Sequence, residues 1–241
     1  MIDKKSPLPM YYQIEEDIKR RISTEEYSPS DMIPSERELS ETYQVSRMTV
    51  RQAVTNMVNE GVLYREKGRG TFVADKKIEQ PLQGLTSFTE DMKARGMTAS
   101  SKLLVFEKIS ASPEIARKLG INQDDSIFQI QRIRYADGKP MAIENSFLPE
   151  SLLPGLDEQI VQGSIYEYVE ETLKQPIGKA SQIIEATIAD KSQSVLLEMT
   201  PDSAILHIER NSYLADGTPF EVVKSSYRAD RYKFISDIHR A

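Results

Sequence analysis

The chain has no cysteine and no tryptophan, and only two histidines, His207 and His239, among its 241 residues. The missing thiols exclude a disulfide scaffold, a thiolate zinc site and a cysteine nucleophile, and they fit a reducing compartment. The histidines stand apart, one in a strand-like run and one near the terminus, which leaves no material for a histidine-centred triad or metal cluster. The motifs G-x-S-x-G, H-E-x-x-H and the phosphate loop are absent. There is no apolar run of about 18 residues, no basic-then-apolar leader and no lipidation motif. A cytoplasmic protein with no membrane partner, no metal and no cofactor is therefore expected. What is present is ordinary globular material, 39% hydrophobic and 28% charged, long enough for two modest domains.

The clearest functional signal is the stretch Pro34 to Ala74, PSERELSETYQVSRMTVRQAVTNMVNEGVLYREKGRGTFVA. Ser35 and Glu38 form an S-x-x-E capping box, which predicts a helix from Ser35 to about Tyr43. After a tight turn, Ser46 N-caps a second helix whose residues Val50, Ala53, Val54, Met57 and Val58 make one apolar stripe, with Gly61 as the C′ residue. Arg47, Thr49, Arg51 and Gln52 fall off that stripe, with no acidic residue among them. Arginine forks suit guanine edges, glutamine suits adenine, and a helix N-terminus suits a phosphate. Two β-prone runs, Val62 to Arg65 and Thr71 to Ala74, flank Glu66-Lys67-Gly68-Arg69-Gly70 and predict a hairpin wing, its tip basic and its glycines open to close backbone approach. Upstream, Ile14, Ile18 and Ile22 mark a first helix, and Met32-Ile33 is expected as a short strand beside the wing.

The net charge of -6 sits awkwardly with duplex binding, which draws on basic side chains. Through Ala74 there are 11 basic against 12 acidic residues, so the head is near neutral and the deficit lies in the remainder. Local charge decides: the second helix's first turns and the wing tip are mostly basic. The resulting expectation is sequence-specific binding with weak nonspecific affinity.

This arrangement resembles the head of the GntR family of bacterial transcription regulators, and LQGLTSFTEDMKARGM, from Leu82, resembles the HutC subfamily. The resemblance implies a winged helix-turn-helix at 1–74, a linker at 75–81, and a ligand-sensing and dimerising UTRA domain at 82–241, similar in fold to chorismate lyase. It implies that Arg37 and Arg47 read bases, that Thr49, Arg51 and Gln52 hold backbone or bases, and that Gly68 to Thr71 form the wing tip; Ser35, Ser46, Lys67, Arg69 and Gly70 complete the candidate DNA-binding set. Winged heads act in twofold pairs, so a homodimer on a palindromic double-stranded DNA operator is expected. From Asp75 to Pro81 the sequence is charged, aperiodic and ends in proline, as a linker does.

The second half contains a repeat that the residues show by themselves. Leu119, Ile127, Ile130, Arg132 and Tyr135 recur as Leu197, Ile205, Ile208, Arg210 and Tyr213, displaced by 78. The Asp137-Gly138 turn recurs as Asp216-Gly217. Each unit, Leu103 to Leu148 and Gln182 to Tyr227, predicts strand, helix and hairpin, hence an α+β domain built on a mainly antiparallel sheet of two β-α-β-β units.

Along the first hairpin, Phe128, Ile130, Arg132 and Arg134 share a face. Two arginines on an apolar face call for an anion, and two forks suit a phosphate. With Ala136-Asp137-Gly138 as a three-residue loop, Tyr135 pairs with Lys139, Arg132 with Ala142 and Ile130 with Glu144, placing Glu144 on the arginine face. Arg210 is expected to be structural. The family resemblance implies that Phe88, Thr89, Arg132, Arg134, Ser164 and Tyr166 hold a sugar phosphate and that Glu144, Glu221 and Tyr227 meet the sugar ring. The implied effector is a phosphorylated amino sugar, such as glucosamine 6-phosphate or N-acetylglucosamine 6-phosphate. A structural Arg-Glu pair is the plain alternative, and Glu144 with Glu221 as an acid-base pair is the enzymatic one.

Overall fold

The computed structural model describes residues 6–75 and 77–238, so His239 lies outside the described residues. The chain divides into two units, 1–78 and 79–241.

The first unit holds three helices, α1 (Met10–Ser23), α2 (Glu36–Tyr43) and α3 (Arg47–Asn59), then strands β1 (Leu63–Glu66) and β2 (Gly70–Val73). The capping box forms as its sequence dictates: Ser35 Oγ accepts from Glu38 N, and the Glu38 side chain accepts from Ser35 N. Gln44, in the left-handed region at φ 53°, turns the chain so that Ser46 can cap α3. Val50, Ala53, Val54 and Met57 are buried together with Ile14, Ile18, Leu39 and Leu63. Gly61 takes φ +74° just past the helix end. The wing pairs Leu63 with Val73 and Glu66 with Gly70. Met32 contributes one bridge to Phe72 rather than the expected strand.

The second unit runs β3 (Ile78–Pro81, its first residue at the unit boundary), α4 (Phe88–Ala94), β4 (Ala99–Ser110), α5 (Pro113–Leu119), β5 (Ser126–Ala136) and β6 (Lys139–Pro149). It continues with α6 (Glu158–Gln162), α7 (Ile165–Glu167), β7 (Ile177–Ile188), α8 (Lys191–Leu196), β8 (Ala204–Leu214), β9 (Pro219–Arg228) and β10 (Tyr232–Ile235). The six long strands form an antiparallel sheet in the order β4-β5-β6-β9-β8-β7, which places the two repeats back to back about β6 and β9. β4, α5 and β5 begin 78 residues before β7, α8 and β8.

One sheet face is covered reciprocally. Leu119, at the end of α5, packs with Val222 of β9, and its repeat equivalent Leu197, after α8, packs with Ile133 and Ile143 of β5 and β6. Each unit's helix thus buries apolar surface of the other unit, and neither repeat has a closed core alone. On the opposite face Phe128, Ile130, Leu148, Val161, Ile165 and Phe220 form the main core.

Two expectations need correction. The stretch 75–81 is not all linker: Ile78–Pro81 is a strand paired with β10, fastened by a 2.8 Å bond from Leu82 N to Ile235 O and a 2.6 Å Lys233–Glu79 ion pair. Its partner lies some 150 residues on, beyond the reach of local pattern. The first hairpin also turns differently. Asp137 and Gly138 have φ of 49° and 75°, so they form a two-residue turn with both φ positive, and a bulge follows between Arg134 and Tyr135. Turn and bulge each shift the register by one, so Glu144 stands opposite Arg132 and Ile130 opposite Ser146. A shift of two keeps every side chain on its face, so Glu144 still joins the arginines. Among the described residues no helix is long and apolar enough to cross a membrane.

Gly178 opens β7 where an added Cβ would lie 2.8 Å from Ala215 Cα and 3.1 Å from Leu214 O, both backbone atoms. Gly178→Ala should therefore cost about 1–3 kcal/mol, seen as a midpoint lower by several degrees in thermal unfolding. An unchanged midpoint would show that the strand end yields freely.

Candidate functional site

In the first unit, α3 presents Arg47, Arg51 and Gln52 to solvent, with Arg37 exposed on α2. Thr49 is half-buried, its hydroxyl 2.8 Å from Ser46 Oγ, and Ser46 Oγ also accepts from Thr49 N. Ser35 and Ser46 are thus committed to capping, which fixes where α2 and α3 begin. The basic turn is not free of acids as the sequence suggested. Glu36 of α2 accepts from Arg51 Nε at 2.9 Å and from Arg65 at 3.4 Å. Exposed pairs of this kind contribute about 0–1 kcal/mol, so an arriving phosphate can displace Glu36 at little cost. At the wing tip Lys67, Gly68 and Arg69 are exposed, and Thr71 is half-buried at the start of the return strand. Arg69 bonds Glu66 and lies 5.7 Å from the Phe72 ring centroid. Gly70 has φ +145°, a conformation that L side chains rarely adopt, while the one close neighbour of an added Cβ, Met32 Sδ at 2.9 Å, is the end of an exposed side chain that can move aside.

In the second unit the hairpin face carries a partly open cavity of about 60 Å³. Phe88, Arg132, Arg134, Glu144, Ser164, Tyr166, Glu221 and Tyr227 all line it, although they come from six separate elements and capping positions. Thr89 stands behind Arg134, accepting from its Nη2 at 2.9 Å. At the centre, one carboxylate oxygen of Glu144 accepts from Arg132 Nη2 and from Arg134 Nη1, both at 2.9 Å. Arg132 Nη1 also donates to Val161 O at 2.6 Å and Gly163 O at 3.1 Å, the carbonyls at the end of α6. Arg134 stacks on Phe88, its guanidinium carbon 4.6 Å from the ring centroid. The Nε of each arginine is buried without a hydrogen-bond partner among the described residues. Ser87 and Ser164 cap α4 and α7, and their hydroxyls approach to 3.5 Å. Tyr166 shares a 2.9 Å hydrogen bond with Ser212.

Arg210 was expected to be structural, but the fold also brings it to the cavity wall. It donates to Gln182 Oε1 at 3.2 and 3.3 Å and to Thr86 O at 3.3 Å, tying the sheet to the segment before α4. The signal for it was available: Arg210 is the repeat equivalent of Arg132. Ser146 and Tyr232 also line the wall and had no sequence signal, since one is a small strand residue and the other arrives on β10.

The two buried glutamates are driven in opposite directions. Burial works to raise the Glu144 carboxyl, but Arg134 and Arg132 beside it prevail and hold it below the usual carboxylate range. Burial raises Glu221, and the Glu144 charge pushes it further up, against the pull of Arg132 and Arg210. Burial likewise raises the Tyr166 and Tyr227 hydroxyls. Because Glu144 is lowered on folding, its stabilisation is present above about pH 4.5 and is lost as pH falls through its folded pKa. Glu221 has the reverse sign: its contribution is full below about pH 4.5 and is lost as pH rises through its raised pKa. At pH 7, Glu144→Gln should destabilise by about 3–5 kcal/mol, since it leaves two guanidiniums without their counter-charge. Glu221→Gln should hold or raise the melting temperature at pH 7 and lose that advantage at pH 4.5. Paired thermal melts at the two pH values read both signs, and equal losses for the two variants would contradict this assignment of charge.

Comparison with known proteins bears on both units. The model of the gntR family of bacterial regulatory proteins matches residues 10–73, and that of the UTRA domain matches residues 94–233. The chain is 48% identical over 239 residues to the HTH-type transcriptional repressor NagR of Bacillus subtilis (strain 168), covering 99% of this chain and 98% of that protein. It is 34% identical over 226 residues to the mannosyl-D-glycerate transport/metabolism system repressor MngR of Escherichia coli (strain K12), covering 94% of each. Its fold is similar to the crystal structure of PhnF from Mycobacterium smegmatis, with a TM-score of 0.68 at 30% identity over 95% of this chain and 100% of that one. These relatives are transcription regulators rather than enzymes. With both family models matched and a relative 48% identical over nearly its whole length, the chain belongs to the GntR family of DNA-binding transcriptional regulators, in its UTRA-containing branch.

Proposed function

We propose that the protein is a homodimeric repressor of amino-sugar utilisation genes, released from a palindromic operator by glucosamine 6-phosphate or N-acetylglucosamine 6-phosphate. The observation that carries this reading is the Glu144 carboxylate shared by two buried arginines whose Nε groups have no partner. A phosphate has more acceptor oxygens than one carboxylate and offers bonds to donors that Glu144 leaves unused. Glu144, Glu221 and Tyr227 then face the hydroxyl and amino groups of the sugar. The 48% identity of nearly the whole chain to the repressor NagR supports an amino sugar in particular.

The cavity's volume implies how the signal is made. At about 60 Å³ the cavity is smaller than ligand pockets, which begin at about 300 Å³. Effector binding therefore has to open the site. The sheet side is fixed by ladders on both edges of β5, β6, β8 and β9, so the yielding wall is α4 with the segment 82–87 that follows β3. The linker carries that change to the DNA-binding unit. A ligand changes operator binding only through its differential affinity for the two states, on a usual scale of about 1–3 kcal/mol.

In the head, Arg47 reads a base through a bidentate contact, supported by Arg37 on α2, while Thr49, Arg51, Gln52 and the wing residues Lys67 to Thr71 position the backbone. Arg47→Ala should cost about 1–3 kcal/mol on the specific operator and little on random duplex, in binding titrations at one salt concentration. Equal loss on both would place Arg47 on phosphate only. For the sensor, Arg134 carries the cleaner test, because Arg132 also holds the end of α6. Arg134→Ala should fold, dimerise and bind operator but fail to respond to sugar phosphate, a superrepressor. An Arg134→Ala protein released as readily as wild type would put the anion site elsewhere.

A further inference from the structure

β4 and β7 occupy the two outer edges of the six-stranded sheet and are equivalent by the 78-residue repeat. The fold treats them differently. β4 is broken by a bulge between Leu103 and Val105, and α4 and α6 pack against it. β7 runs from Lys179 to Ile188 in unbroken register with β8, contains no proline, and leaves Ile183 62% and Ile188 57% exposed. A long, regular, apolar edge presents a row of unpaired N–H and C=O groups that templates another strand. Proteins blunt such edges with bulges, prolines, charges or covering elements, and of these β7 beyond Gly178 has only two charges, Lys179 and Glu185, among the described residues.

The strand's own charges select its occupant. Lys179, Ser181, Ile183 and Glu185 alternate onto the sheet face away from the cavity, whereas Gln182, opposite Arg210, points to the cavity side. A second copy related by a twofold axis perpendicular to the sheet pairs antiparallel, and residues directly opposite then share a face. With the axis through Gln182, Lys179 meets Glu185 of the second copy, and Glu185 meets Lys179 of that copy. Ser181 faces Ile183 and Ala180 faces Ile184. The strand's only two charges are then both matched, twice over. An axis one residue earlier puts Lys179 against Ile183, and one residue later puts it against Thr187, leaving both charges opposite neutral groups. We propose that β7 pairs with β7 of a second copy about a twofold at Gln182, joining two six-stranded sheets into one across the dimer. This rests on the homodimer reading and specifies where that dimer is made.

The test is the dimer dissociation constant of the full chain, from sedimentation equilibrium over a dilution series, for wild type, Lys179→Glu, Glu185→Lys and the double variant. Each single variant sets two like-charge pairs directly across the strands and should weaken the dimer about tenfold or more; the double variant restores both pairs with reversed sign and should return close to wild type. Thermal melts confirm that each variant is folded. A wild-type chain monomeric at every concentration would overturn the dimer itself. A dimeric wild type whose single variants associate as tightly, or whose double variant does not recover, would overturn this interface and leave the dimer standing.

Discussion

A single carboxylate held between two guanidiniums in a buried site sets the geometry of the sensing domain. Arg132, Arg134 and Glu144 are each under one-tenth exposed, and desolvating three charges is expensive. Replacing such clusters by apolar side chains is often neutral or stabilising, so stability alone gives no reason for this one. Its use lies in what the arginines hold besides Glu144. Arg132 fixes the carbonyl end of α6, and Arg134 fixes Thr89 on α4 and the Phe88 ring. Any anion that competes with Glu144 for the two forks therefore acts on the elements of the cavity wall that do not belong to the sheet.

The division of labour between rigid and yielding parts follows from the repeat. Each β-α-β-β unit lends its helix to cover the other, which makes the sheet and its helical face one cooperative body. The opposite face is closed by short pieces: α4 and α6 of seven and five residues, α7 of three, and a π turn at Tyr168–Thr172. Such pieces owe their positions to packing and to a few buried bonds, and they shift when those bonds are exchanged. β3 precedes α4 and pairs with β10, and both strands supply residues to the cavity wall, Gln80 and Tyr232.

Much of this was legible in the sequence because local chemistry and period set it. The Ser35–Glu38 capping box, the α3 stripe, the glycine at 61 and the wing fell where spacing put them, and the displacement of 78 marked the symmetry of the sheet. The face shared by Arg132, Arg134 and Glu144 was legible even though the register was not, since turn and bulge changed it by two. Non-local facts were not legible. Glu36 reaches Arg51 through tertiary packing of α2 on α3, β3 finds β10 from the far end of the chain, and the exchange of helices between repeats leaves no mark on either repeat alone. Arg210 does hold Gln182 and the Thr86 carbonyl, as a structural residue would, and its place on the cavity wall is the part the sequence did not show, because the second hairpin lacks a companion arginine.

The near-neutral head and the acidic remainder make nonspecific attraction to duplex weak, so occupancy of an operator depends on base contacts. The most direct measurement is operator affinity of the wild-type protein, at fixed salt, with saturating glucosamine 6-phosphate, N-acetylglucosamine 6-phosphate, their unphosphorylated parents, or inorganic phosphate. Affinity should fall by about 5- to 150-fold with one of the two phosphorylated amino sugars, and stay unchanged with the parent sugars. Affinity indifferent to all of them, or lowered equally by the unphosphorylated sugars, would contradict an anion exchange at Arg132 and Arg134 as the origin of the response.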